Sequence, residues 1–136
     1  MREQTVFAFD YGSKRCGIAI GHTLTQTARP LAQINHNTTT QWQTLDALTT
    51  EWQPEILIVG LPLNMNDSVG NIGTKAKQFG LQLQQRYQLP IQFVDERLST
   101  RAARERLQQQ GIKNPHKAEI NSTAAQIILE DWLRWR

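Results

Sequence analysis

Hydrophobic and polar positions alternate between two periods along this chain, and the switches between them predict its elements. The run Thr5 to Asp10 (TVFAFD) is apolar, aromatic and β-branched, and Cys16 to His22 (CGIAIGH) is a second such run. Between them Tyr11-Gly-Ser-Lys-Arg15 supplies a basic, glycine-containing turn, so the two read as an antiparallel hairpin. A weaker strand is predicted over residues 28–34, where Pro30 confines it to an edge or an early strand position. From Thr40 to Trp52 the period becomes helical, with Trp42, Leu45, Leu48 and Trp52 on one stripe and Pro54 as the stop.

The second half repeats the switch. Residues 55–61 (EILIVGL) form an unbroken apolar run, as in a strand covered on both faces, and end in the loop segment Gly60 to Asp67. A helix is predicted from Asn71 to Gln88 with Ile72, Ala76, Phe79, Leu83 and Tyr87 on one face, at a cost of up to ~1 kcal/mol for Gly80. Ile91 to Val94 is the next strand and runs into Asp95 and Glu96. Ser99 or Thr100 is suited to cap a helix reaching Gln110, with Gly111 as its C-terminal glycine. Residues 113–119 contain Asn114-Pro115 and read as a mobile loop, and a last helix is expected to open near Asn121 with Ala125, Ile128, Leu129, Trp132 and Leu133 on its apolar stripe. The order βββαβαβαα predicts an α/β fold, a mixed sheet flanked by helices.

Composition narrows the function classes. The chain has 136 residues, 39% hydrophobic and 20% charged, which suits one globular domain spanning 1–136. No apolar run approaches the roughly 20 residues of a membrane span, and the N-terminus lacks a signal-peptide pattern, so no membrane partner and a cytoplasmic location are expected. The single cysteine, Cys16, lies in an apolar run and suits a buried thiol in a reducing compartment. A formal charge of +3 is compatible with a nucleic-acid partner without demanding one.

The chemistry gathers at strand ends. Asp10 closes one apolar run and the Asp95-Glu96 pair closes another. If their strands run parallel, both acids reach one edge of the sheet, where ligands of such folds bind. Like charges brought together there call for a cation, and hard divalent ions such as Mg²⁺ or Mn²⁺ prefer carboxylate oxygens. Lys14, Arg15, Arg97, Ser99 and Thr100 stand beside these acids as candidate phosphate contacts. The plainer reading gives Asp95 to Arg97 or to a helix cap, and Asp10 to its turn. Side-chain alternation lets only one of Asp95 and Glu96 face the site. Asn64 is either a contact to phosphate or ribose or a turn residue, and Arg97, Arg101 and Arg104 fall at helical spacing as a phosphate track or a solvated face. His22, His36 and His116 show no metal-like spacing.

Four segments together carry a family resemblance: FDYGSKRCGIAIG (9–21), VGLPLNMN (59–66), VDERLST (94–100) and INSTAAQIILE (120–130). In order, and over nearly the whole chain, they resemble the YqgF/RuvX family, small bacterial proteins described as pre-16S rRNA nucleases and earlier as Holliday junction resolvases. The resemblance implies a ribonuclease H-like fold with a five-stranded mixed sheet, its first three strands antiparallel. It also implies acids that hold divalent metal for phosphodiester hydrolysis. Asp10 matches the first-strand acid, and Glu96 the acid of the D-E-R motif, which favours Glu96 over Asp95 as the site residue. The third acid of the family pattern falls at Asn121, which as an amide brings no charge but retains an N-cap's propensity. Glu119 or Glu130 are the nearest substitutes, Glu130 being two to three helical turns along.

Three functions follow. The resemblance implies a nuclease acting on structured RNA such as ribosomal precursor RNA, free or in ribosomal precursor particles, or on branched DNA, working as a monomer or weak homodimer. A non-catalytic RNA-binding or assembly factor is the second, because of Asn121. A nucleotide-binding ATPase suggested by the D-x-G-S of residues 10–13 would need two lobes, and this chain has length for one.

Overall fold

The computed structural model describes residues 2–36, 38–61, 71–95 and 99–136. Nine elements follow in the expected order: β1 (Thr5–Tyr11), β2 (Arg15–His22), β3 (Thr27–Asn35), α1 (Gln41–Trp52), β4 (Ile56–Leu61), α2 (Asn71–Tyr87), β5 (Ile91–Asp95), α3 (Ser99–Gln109) and α4 (Lys117–Trp135). The five strands form one sheet in the order β3-β2-β1-β4-β5. β1, β2 and β3 pair antiparallel, while β4 runs parallel to both β1 and β5. The carboxyl ends of β1, β4 and β5 therefore meet at one edge. Pro30 sits on β3, an outermost strand, where its missing N–H costs no ladder bond.

Alternation divides the central strands between two cores. Phe7 and Phe9 of β1, Ile18 and Ile20 of β2 and Leu57 and Val59 of β4 pack with Leu45 of α1 and Ala76, Phe79 and Leu83 of α2. Val6 and Ala8, Ala19 and Ile58 point to the opposite face and pack beneath Ala125, Ile128, Leu129 and Leu133 of α4. That double coverage explains the unbroken apolar runs of β1 and β4. α3 rests on α4 through Ala103 and Leu107 against Ile120, Ala124 and Ile127.

Glycines mark where backbone must come close. At Gly80 a Cβ would lie 2.6 Å from the Phe93 ring, so the helix-interior glycine lets β5 dock on α2 and its propensity cost is offset by that contact. Gly111 ends α3 at φ +94°, and the N–H groups of Gly111 and Ile112 donate to the carbonyls of Gln108 and Leu107, a Schellman closure. The expected caps Ser99 and Thr100 lie inside the first turn of α3.

The last helix departs from the sequence reading. It opens at Lys117, so residues 117–119 are helix rather than loop, and Asn121 sits in its second turn, not at its cap. The capping position belongs to His116, whose backbone N–H donates to the Glu119 carboxylate at 3.2 Å. Pro115 favours extended backbone before that point, and a glutamate three residues past the cap closes the turn behind it; this pairing outweighed the cap propensity of Asn121.

Candidate active site

The site grows from the alternation of β1. Val6, Ala8 and Asp10 share the face covered by α4, whereas Phe7, Phe9 and Tyr11 take the other. Asp10 thus ends an apolar stripe under a helix and is only 4% exposed. It is paired across the sheet with two glycines, Gly17 on β2 and Gly60 on β4. Neither neighbour in its row carries a side chain.

Gly17 is where α4 touches the sheet. A Cβ built there would lie 2.2 Å from the Asn121 carbonyl oxygen and 2.8 Å from the Ser122 nitrogen, so the helix backbone rests on the strand at this point. Gly21 repeats the arrangement further along, with Leu129 2.7 Å from its Cβ position. The Asn121 side chain reaches toward the β1–β2 turn: its amide nitrogen is 3.9 Å from where a Gly12 Cβ would stand. Asp10 and Asn121 are therefore brought to the two sides of Gly17, one from the strand and one from the helix. The turn is held by a Gly12 N–H to Arg15 carbonyl bond of 2.9 Å and leaves Lys14 exposed and Arg15 half-buried beside it.

Electrostatics around Asp10 is visible in its neighbour. Burial pushes the Cys16 thiol well above the usual range, and the negative charge of Asp10 adds to the rise, so this cysteine is an inert core group as expected. Burial also raises the Tyr11 hydroxyl, with Cys16 contributing second.

The other expected site residues divide clearly. Asp95 stands in register with Leu61, a residue of the α1/α2 core, so it faces away from Asp10; Glu96, Asn64 and Arg97 lie outside the described residues. Ser99 and Thr100 begin α3 just past the end of β5, on the same edge. Arg101 makes an exposed 3.2 Å bridge to Glu105 within α3. The two suggested substitutes for a third acid are engaged elsewhere, Glu119 at the helix cap and Glu130 with Arg106 at 3.0 Å. Among the described residues no three His, Cys, Asp or Glu side chains cluster. The glycine partners Gly17 and Gly60 were not singled out from sequence, although a glycine inside a strand is itself a signal of close backbone approach.

Comparison with known proteins adds the lineage. The RuvX family model, described as Holliday junction resolvase, matches residues 4–135. The chain belongs to the RuvX family. Curated RuvX relatives include a protein of Aeromonas hydrophila, 42% identical over 135 residues that cover 98% of this chain and 96% of its own. One from Legionella pneumophila is 44% identical, covering 93% and 92%. Both carry the name "Putative pre-16S rRNA nuclease". Among solved structures, Thermus thermophilus RuvC in complex with a Holliday junction substrate superposes with a TM-score of 0.57 at 15% identity, covering 96% of this chain and 93% of that one. The yeast mitochondrial Holliday junction resolvase Ydc2 gives 0.56 at 9% identity, covering 96% and 78%. These likenesses establish for this RuvX family member the ribonuclease H-like fold that the family resemblance implied.

Proposed function

We propose that this RuvX family member is a metal-dependent nuclease that hydrolyses phosphodiester bonds in structured nucleic acid, with pre-16S rRNA as its substrate class. The observation that carries the reading is the buried Asp10 in register with Gly17, the strand residue on which the Asn121 backbone rests, at the edge where β1, β4 and β5 all end. The names of full-length relatives above 40% identity weigh toward RNA, and the junction-bound RuvC, at 15%, weighs less for branched DNA.

The donor chemistry fits a hard divalent ion. Asp10 offers carboxylate oxygens, Asn121 an amide oxygen within the same corner, and Glu96 is the second carboxylate in this reading; Mg²⁺ or Mn²⁺ takes such oxygens and keeps several waters. Bound there, the ion supplies water activation and charge stabilisation for phosphodiester hydrolysis. The protein's own groups do the rest. Asp10 is held rigid by a helix above and a strand on each side, Lys14 and Arg15 present positive charge to the incoming phosphates, and Arg97, Ser99, Thr100 and Asn64 extend that contact along the strand. Asn121 orients without adding charge, which lowers metal affinity relative to a third carboxylate. The domain, residues 1–136, works in the cytoplasm on precursor RNA, free or within ribosomal precursor particles, as a monomer or weak homodimer.

The neutral Asn121 also favours a second reading, an RNA-binding assembly factor with a weakened metal site. Cleavage assays with Mg²⁺ or Mn²⁺ on precursor rRNA and on a four-way DNA junction separate the cases. Asp10→Asn and Glu96→Gln are each expected to lower RNA cleavage by at least about a hundredfold. Equal cleavage by wild type and both variants overturns the nuclease reading, and RNA binding without cleavage supports the assembly factor.

A further inference from the structure

The two outer strands of the sheet are built differently. β3 is blunted, because Pro30 has no N–H to give and the β2–β3 register shifts between Ile18 and Ala19. β5 is a regular five-residue strand, and among the described residues no strand pairs with its outer side. The Leu57 N–H donates to the Pro90 carbonyl at 3.0 Å, and Leu57 is in register with Ile91. In a parallel ladder that pattern turns the N–H and C=O of Ile91 away from β4, and those of Phe93 two residues on.

Apolar surface accompanies these outward groups. Phe93 is 37% exposed and Leu81 of α2 is 53% exposed. Phe93 is in register with Val59 of the α1/α2 core and so faces α2, where Gly80 spans both strands: its Cβ position is 2.6 Å from the Phe93 ring and 3.5 Å from a Val59 methyl. Phe79 points to Trp42 of α1 and Gly80 to β5, so the flank beyond Gly80 faces the open edge, and helical spacing gives that flank the exposed Lys77, Leu81 and Gln84.

A second copy of this chain fits that edge under one two-fold axis. Antiparallel pairing centred on Phe93 sets Phe93 against its own copy, where the two exchange both backbone bonds, and sets Ile91 against Asp95. The same axis decides how the helices meet. α2 runs between β4 and β5 at Gly80, half a strand spacing inside β5, and the axis lies half a spacing outside it. With strands about 4.8 Å apart, α2 and its copy then stand about 10 Å apart, the separation at which helices pack. Leu81 meets Leu81 beside the Phe93 pair. Like charges do not meet, since Asp95 stands opposite Ile91 and Lys77 opposite Gln84.

We propose that the chain self-associates through β5 and α2, a two-fold dimer in which the two sheets join into one. The inference stands whether or not the nuclease reading does. A short strand and one helix flank make a small interface, so the dimer is weak, with Kd on the order of 10–100 µM. Sedimentation of the full chain over a concentration series, without nucleic acid, is expected to show a monomer–dimer equilibrium in that range. Hydrogen exchange read residue by residue is expected to show the Ile91 and Phe93 amides slowing as the dimer fraction rises, while Gln92 and Val94, bonded to β4, stay unchanged. Leu81→Lys, at an exposed helix position, is expected to keep the wild-type circular dichroism and to weaken dimerisation at least about tenfold by setting two cations face to face. A protein that stays monomeric to about 1 mM overturns the proposal. So does a dimer in which Ile91 and Phe93 exchange as fast as in the monomer, or a folded Leu81→Lys variant that dimerises like wild type. Protection of those two amides that ignores protein concentration would mean that the chain covers its own edge, and overturns it as well.

Discussion

Gly17 and Asn121 are in backbone contact: a single methyl group on Gly17 would stand 2.2 Å from the Asn121 carbonyl oxygen, well inside any allowed separation. Backbone on both sides leaves nothing flexible to yield. Gly17→Ala is therefore expected to push the start of α4 off β2, to destabilise the protein by about 1–3 kcal/mol or more, and to abolish cleavage by separating Asn121 from Asp10. Urea unfolding checks the first effect. A variant with wild-type stability would mean that the helix rides higher on the sheet than described.

Asn121→Asp swaps an amide for a carboxylate of the same shape, beside Gly17, the strand partner of the buried Asp10. Two carboxylates at one corner repel unless a cation lies between them. The variant is expected to melt below wild type in EDTA, to recover on adding Mg²⁺, and to bind the ion about tenfold more tightly than wild type. Thermal melts over a Mg²⁺ series read this independently of catalysis. Identical Mg²⁺ responses in the two proteins would place position 121 outside the metal site.

The architecture was legible wherever one period dominated. β4 announced itself as a doubly covered strand and β1 as an apolar strand ending in an acid, and Pro30 and Gly111 each marked the position that the structure gives them. The start of α4 was not legible, since Asn121 and His116 compete for the cap and the outcome rests on Glu119 folding back onto the His116 N–H. Asp10 stood out because a lone acid ending an apolar strand is costly; Gly17 and Gly60 did not, because a glycine reports close approach without saying to what. Which acid of the Asp95-Glu96 pair turns inward depends on register: Asp95, paired with Leu61, faces away from Asp10, and Glu96 lies outside the described residues.

A clamp remote from the site joins α1 to α2. Arg86 donates twice to the Asp46 carboxylate, at 2.8 and 2.6 Å, and the Tyr87 hydroxyl donates a third bond at 2.6 Å. Arg86 and then Tyr87 hold the Asp46 carboxyl at about 2, below its ordinary 3.8, and burial followed by Asp46 raises the Tyr87 hydroxyl. A carboxyl depressed in the folded state contributes stability that is present above its unfolded value and is lost as pH falls through the folded one. Wild type is therefore expected to lose this contribution between about pH 4 and 2. The pair is largely exposed, so the loss is modest, a few degrees of melting temperature. Asp46→Asn should show a flatter melting profile across that window, and parallel profiles would mean that the clamp is broken in solution.

His36 presents the opposite case, a buried polar atom with no partner among the described residues. Its Nδ1 lies 3.2 Å from the Gln41 side-chain oxygen, its ring lies tilted 4.3 Å from Tyr11 and edge-on 5.8 Å from Phe79, and its buried Nε2 has no hydrogen-bond partner among the described residues. An unmet buried nitrogen costs about 1–3 kcal/mol, whereas the stacking needs only an aromatic face. His36→Phe keeps the ring, removes the orphan nitrogen and forfeits one modest bond to Gln41. Its melting temperature is expected to equal or exceed that of wild type, while His36→Ala, which loses the stack as well, should melt lower. If His36→Phe instead fell as far as His36→Ala, the Gln41 bond would have to be the main contribution of this side chain, and the aromatic cluster of Tyr11, Phe79 and Trp42 would be held from the β3 side by that single polar contact.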